Sequence, residues 1–508
     1  MSKILLITFF LFSWMITATE LDKQLTIGDV EYLGKYQTDS NTFIFRGIPY
    51  AEPPINNLRW KSPIPAKKNI NIDARQFKAA CMQDRYNTDW YHNVIKAFGS
   101  DPSLFDHINS ISEDCLYLNI WTKSLETSAK KAVMVWIHGG NDTAGWSYEP
   151  DYIGHNLANK DVVVVSIGYR LNIFGFFKHP NMNEQTGNFG LEDQILALKW
   201  IKKNIKYFGG DPNNITIFGE SAGGAYVSYH LVSPASEGLF EKAIIQSGGY
   251  NLISSYSLLD IQEAHNFAKK ATDVISSNNF EALRNIDPNK LLDISKAMGY
   301  PFHPIIDGNL IQIEILDIYS SGDLNKVDLI IGSNKNEEYL YIDKELTLED
   351  LIKQIVEMNP DKTGKIISLL DLSDIPLASD RLGTNQLTAC PSIFIARQMT
   401  KSGNKVFQYL FSKQRLKSEN ILSYHGAEIP YVFGTHDVYL PTTNNDLKLT
   451  ANMMNYWTQF AKTGNPNSNE TDVYWDEFGD DQNYIILDTT IKTDKKMERE
   501  LCDLIFQN

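Results

Sequence analysis

Residues 218–224 read FGESAGG, a G-x-S-x-G pattern that follows the β-type run 214–218 and precedes the small-residue start of a helix. A serine so placed, Ser221, sits on a sharp strand-to-helix turn, its hydroxyl lifted clear of the sheet and the next backbone N–H free to meet an anion. The motif thus demands a strand, a tight elbow and a helix in succession, and it predicts a nucleophilic serine.

The neighbouring segments fit that layout. Residues 132–137 and 161–166 are near-continuous apolar, β-branched runs, as expected of central strands buried on both faces. The stretch 191–207 carries Leu191, Ile195, Leu198, Ile201 and Ile205 at helical spacing and stops at the FGGDP turn of 208–212. Residues 242–246, 329–331 and 406–411 read as further strands, 42–46 as part of an antiparallel entry, and 450–463 as the last helix, ended by Gly464, Asn465 and Pro466. Such alternation predicts an α/β fold: a central, mostly parallel sheet with helices on both faces. The polar, mostly helical stretch 252–301 reads as an insertion over one end of the sheet. No Pro/Ser-rich linker interrupts the chain, so residues 19–508 are expected to form a single domain.

Asp and Glu number 62 against 47 Lys and Arg, a formal net charge of −15. This balance offers no basic footprint for nucleic acid or an anionic membrane, and neither partner is expected. At the start, Lys3, an apolar stretch over 4–16 and the small residues 17–19 predict a secretory signal, residues 1–18, too short to span a bilayer comfortably. The C-terminus has no hydrophobic tail of the kind a lipid anchor needs, so a secreted protein without membrane anchor is expected. The four cysteines, Cys81, Cys115, Cys390 and Cys502, permit three disulfide connectivities; nearness in sequence favours Cys81 with Cys115. N-glycan acceptor patterns occur at Asn141, Asn214 and Asn469. Asn469, in a polar stretch, is the most accessible, Asn214 is a further candidate, and Asn141 is expected to stay bare because its loop must face a pocket.

A serine hydroxyl is a weak nucleophile at neutral pH and needs a base, an acid to orient that base, and donors for the developing oxyanion. The chain offers His425, downstream of a strand, as base, and Glu337, just after the strand ending at Ile331, as acid; Glu338 competes with it. The loop 136–142 and the N–H of Ala222 are the candidate oxyanion donors.

Taken together the motifs resemble the type-B carboxylesterase and cholinesterase family of α/β-hydrolases. The resemblance runs through FRGIPYAEPP (45–54), SEDCLYLN (112–119), the 136–142 loop, GNFGLEDQ (187–194), FGGDP, the serine elbow, QSG (246–248), PIIDG (304–308), His425, FAKTGNP (460–466) and Cys502, almost the whole mature chain. It implies Ser221 as nucleophile, His425 as general base and acid, Glu337 orienting the imidazole, and Gly140, Asn141 and Ala222 as oxyanion donors. It also implies helical insertions over an active-site gorge, disulfides Cys81–Cys115 and Cys390–Cys502, an acidic residue near the base at Glu220, and no metal or organic cofactor.

One departure matters for catalysis, and a second position bears on substrate choice. Where the family has three successive glycines and then an aromatic, this chain has Gly139, Gly140, Asn141 and Asp142. Asparagine adds a side chain to a position that glycine leaves open, and an inward-pointing Asp142 would oppose an oxyanion. In cholinesterases a tryptophan at a fixed distance before the second cysteine holds a quaternary ammonium; counting back from Cys115 puts Phe105 there, a poorer cation binder, with Trp90 elsewhere in the same loop. Tyr300 and Tyr341 fall where the family lines its acyl and gorge walls. The resemblance therefore implies a serine hydrolase of small, broad or uncharged carboxylic esters. A cholinesterase and a non-catalytic, neuroligin-like binding protein are the alternatives.

Overall fold

The apolar runs lie side by side in the middle of one large sheet. The structure, a computed structural model, describes residues 20–67, 70–252, 258–275 and 280–505; the expected leader, 1–18, lies outside them. Among the described residues the sheet has 13 strands. Its parallel centre runs, in spatial order, Val163–Ile167, Lys131–Ile137, Gly210–Glu220, Lys242–Gln246, Asp328–Asn334, Val406–Phe411 and Asn483–Leu487. Antiparallel strands extend it at both ends: Tyr117–Thr122, Thr42–Pro49, Val30–Gln37 and Glu20–Ile27 on one side, Lys492–Lys495 on the other. Asn71–Asp73 pairs with Val30–Gln37.

The reason the centre is parallel is visible in its burial. Val163–Ile167 and Lys242–Gln246 are buried at every position, so helices must cover both faces. One face carries the core of Phe189–Asn204 and Ala222–Val232, the other that of Ile429–Phe433 and Asn444–Thr463. The helix expected over 450–463 is not the last, since Arg499–Ile505 follows it, and it starts six residues early because Thr443 and Asp446 cap it reciprocally: the Asp446 carboxylate accepts from Thr443 N at 2.8 Å and Thr443 Oγ1 from Asp446 N at 3.4 Å. The expected insertion is present as helices Ile261–Val274, Phe280–Leu283 and Pro288–Ala297.

Cys81 bonds Cys115, and Cys390 bonds Cys502. Cys390 heads the buried helix Cys390–Lys401, which the second bridge ties to the terminal helix Arg499–Ile505. Among the described residues no helix is long and apolar enough to cross a membrane.

Candidate active site

Gly210–Glu220 is the strand that delivers Ser221, and Ala222–Val232 the helix that leaves it. Between them Ser221 takes φ 55°, ψ −126°, a conformation that costs a non-glycine residue on the order of 1–3 kcal/mol. Pairing on both flanks holds it, since the strand lies between Lys131–Ile137 and Lys242–Gln246 and Ser221 N donates to Gln246 O at 2.9 Å. The turn also requires its glycine: a Cβ on Gly219 would come within 2.5 Å of Gly223 C.

His425 meets this elbow from a loop beyond Val406–Phe411. Its Nδ1 lies 2.6 Å from Glu337 Oε2. A carboxylate only accepts, so Nδ1 carries the proton. Glu337 is fully buried, and its other oxygen accepts from Ser247 Oγ and Asn334 N, each at 2.6 Å. Its neighbour Glu338 makes no such bond to the imidazole and lines the pocket instead. On the other side of the ring, Nε2 is 3.3 Å from Glu220 Oε1. Burial alone would lower the imidazole's pKa, but the carboxylates of Glu220 and Glu337 outweigh it and hold the group at about 10. Burial likewise pushes the Glu220 carboxyl well above the usual carboxylate range. The two groups face each other across that 3.3 Å contact, so the protonation of each depends on that of the other. Glu428, fully buried behind them, accepts from Gln246 Nε2 at 3.0 Å and Asn334 Nδ2 at 2.6 Å.

The loop opposite is built from backbone. His138 Nδ1 donates to Gly139 O at 2.9 Å, and Thr143 N and Ala144 N donate to Gly140 O at 3.1 and 3.0 Å. In a planar trans peptide the following N–H points the opposite way from the carbonyl, so the N–H groups of Gly140 and Asn141 face away from these bonds. Gly139, Gly140 and Asn141 line the pocket, and Ala222 begins the adjoining helix. Asp142 is turned under the loop: it is 5% exposed and its carboxylate is taken by Tyr226 OH at 2.6 Å and His303 Nδ1 at 3.0 Å. His138, whose pKa burial lowers to about 4, stacks on Tyr169 and does not line the pocket.

Ser221, Glu220 and His425 share the wall of one pocket of about 340 Å3. Its remaining wall is rich in aromatic rings, among them Tyr86, Trp90, Tyr91, Tyr152 and Tyr341. Trp90 Nε1 donates to the hydroxyl of Tyr341, which stands half exposed at the rim, at 2.7 Å. The helix Tyr86–Ala97 carrying Trp90 is fixed from below by the buried carboxylate of Glu149, which accepts from Asn87 Nδ2 at 2.8 Å and Tyr91 OH at 2.5 Å.

Two expected substrate contacts are corrected. Phe105 does not reach the pocket; it is fully buried behind Tyr91, stacked on that ring at 3.9 Å between centroids and edge-on to Tyr439 at 5.2 Å, and Trp90 faces the cavity in its stead. Tyr300 stands outside the pocket wall, its hydroxyl bound to Asp84 beside Lys296. Sequence reasoning passed over Ser247, Asn334, Glu428 and Glu149. The first two sit at the carboxyl ends of parallel strands, where sites of open α/β sheets gather, and that position was the available signal.

The family model described as the carboxylesterase family matches residues 23–368 and 371–505. The chain is 30% identical to acetylcholinesterase of Electrophorus electricus over 98% of its own length and 90% of the relative's. It is 32% identical to acetylcholinesterase of Bungarus fasciatus over 88% and 79%, and 33% identical to pyrethroid hydrolase Ces2e of Rattus norvegicus over 89% and 83%.

Proposed function

The chain belongs to the carboxylesterase family of ester hydrolases, and from that premise we propose that Ser221, His425 and Glu337 cleave a small-molecule carboxylic ester through an acyl-enzyme. His425 Nε2 takes the proton of Ser221 Oγ as the oxygen adds to the ester carbonyl. The N–H groups of Gly140, Asn141 and Ala222 receive the oxyanion; its collapse expels the alcohol, which leaves with the proton from His425. Water repeats the sequence on the acyl-enzyme. Glu337, itself immobilised by Ser247 and Asn334, keeps the imidazole in the tautomer with Nδ1 protonated and stabilises the imidazolium. The observation that carries the reading is the 2.6 Å contact from His425 Nδ1 to a fully buried carboxylate, at a pocket whose wall includes Ser221. The non-catalytic alternative, motivated by the altered 139–142 loop, loses the part of its motive that rested on Asp142, which turns its charge away from the pocket.

Ser221→Ala is expected to lower hydrolysis of a short aryl acetate by at least about a thousandfold and to abolish labelling by a fluorophosphonate. Unchanged turnover in that variant rejects the assignment.

A second reading concerns the alcohol. Relatives are named for acetylcholine and for pyrethroids, one cationic and one neutral substrate type. A choline ester is favoured by Trp90 in the pocket wall beside Glu220, whose Oε1 is buried without a hydrogen bond, since a ring face and a carboxylate together attract a quaternary ammonium. Comparing acetylthiocholine with an uncharged thioester of equal size decides between a cationic and a neutral preference.

We also propose secretion through the leader 1–18. All four cysteines are paired, which suits an oxidising compartment. Asn469 is the preferred glycan acceptor because it is exposed, whereas the amide of Asn214 is engaged by Lys462 O at 3.2 Å and Lys242 Nζ at 2.5 Å.

A further inference from the structure

Gly140, Asn141 and Asp142 follow one another at φ 108°, 55° and 59°. Glycine adopts such backbone freely, whereas an asparagine or aspartate there gives up on the order of 1 kcal/mol. Two consecutive side chains in this region therefore need an anchor. The main chain supplies part of it: Thr143 Oγ1 donates to Asn141 O at 2.8 Å and Asn172 N to Asp142 O at 2.7 Å.

The side chain of Asp142 supplies the rest, and it reaches two elements that are themselves fixed. Oδ1 accepts from Tyr226, fully buried on the helix that begins immediately after Ser221. Oδ2 accepts from Nδ1 of His303, whose segment is clamped two residues on, where Asn188 Oδ1 accepts from Ile305 N and Asn188 Nδ2 donates to Ile305 O, each at 2.7 Å. A carboxylate suits both partners because both donate; an amide would turn a donor toward one of them. The far end of the same loop is held by Tyr169, whose hydroxyl donates to His138 O at 2.5 Å.

We infer that Asp142 is a positioning residue for the reaction: bridged between Tyr226 and His303, it locks the Gly140 and Asn141 N–H groups in register with the helix that presents Ser221. The inference rests on the hydrolase reading of the site. It makes the Tyr226–Asp142–His303 bridge a determinant of how well the oxyanion, rather than the ground-state ester, is held. A misplacement of donors by a fraction of an ångström to an ångström reduces turnover by factors on the order of ten to a hundred.

The test compares Tyr226→Phe, His303→Ala, His303→Asn and the double variant Tyr226→Phe with His303→Ala in the full chain. Each is assayed with a short aryl acetate and with a trifluoromethyl ketone, whose carbonyl carbon bonds to the serine oxygen and leaves an oxyanion. Each deletion is expected to lower kcat by about tenfold and the pair by about a hundredfold, with KM within about twofold, and ketone affinity is expected to fall in parallel with kcat/KM. His303→Asn restores an N–H donor and is expected to recover most of the loss. A folded double variant that keeps both kcat and ketone affinity overturns the proposal, as does a loss confined to KM. Should the wild-type chain neither turn over the ester nor bind the ketone, the hydrolase reading has failed. The bridge is then read by amide hydrogen exchange over residues 139–145: faster exchange in the folded double variant supports it, and unchanged exchange overturns it.

Discussion

His425 carries a carboxylate on each ring nitrogen, and the two have different consequences. Glu337 fixes Nδ1 at 2.6 Å, while Glu220 lies 3.3 Å from Nε2, the nitrogen that takes the serine proton in the proposed reaction. Both carboxylates raise the imidazole's pKa against the effect of burial, so they favour its protonated form and the base is freed as pH rises. For a base the sign is fixed: a lower pKa leaves more of the neutral imidazole at any given pH. Replacing Glu220 by glutamine removes the charge nearest Nε2 and so lowers that pKa. For Glu220→Gln the acid limb of kcat/KM on a neutral ester is expected to move to lower pH by about one to three units. An acid limb that stays put or moves upward shows that Glu220 does not set the protonation of His425.

The helix Tyr86–Ala97 brings Trp90 and Tyr91 to the cavity as one rigid unit, held beneath by Glu149 and behind by Phe105. If the cationic reading holds, Trp90→Ala is expected to raise KM for acetylthiocholine by about tenfold or more while changing that of an uncharged thioester by no more than about threefold. Equal effects on both substrates mark Trp90 as a wall rather than a cation contact. This helix is also where sequence reading met its limit. The strands were legible because burial on both faces forces unbroken apolar runs, and Lys242–Gln246 and Val406–Phe411 have the expected bounds. The elbow at Ser221 was legible from its local motif, whereas Glu337 and His425 stood out only through the chain order serine, acid, histidine and the family resemblance. Which aromatic faces the pocket was not legible: Phe105 and Trp90 lie 15 positions apart in one irregular excursion, and only the tertiary placement of Tyr86–Ala97 decides between them. The contacts of Glu337 with Ser247 and of Glu220 with His425 are likewise matters of chain crossing, with no local periodicity to announce them.

At the scale of the whole molecule, two bridges and one charge imbalance act over distances that no single element spans. Cys390–Cys502 closes a segment 112 residues long and Cys81–Cys115 one of 34, which in the chain-entropy account contribute about 5 and about 4 kcal/mol respectively. Cys390→Ser combined with Cys502→Ser is expected to lower the thermal midpoint by several degrees, measured by calorimetry at a fixed scan rate; an unchanged midpoint means that the packing of Cys390–Lys401 on Arg499–Ile505 holds without the bond. The net charge of −15 bears on the substrate instead. On the cationic reading, that net negative charge together with Glu220 and Glu338 in the pocket wall draws cations toward the site, and such steering is screened once the Debye length falls from about 30 Å at 0.01 M salt to about 3 Å at 1 M. Raising salt over that range is therefore expected to lower kcat/KM for acetylthiocholine by about tenfold and to leave the uncharged thioester within about twofold. A parallel response of the two substrates means that the acidic surface steers nothing, and the case for a cationic alcohol then stands on Trp90 and Glu220 alone.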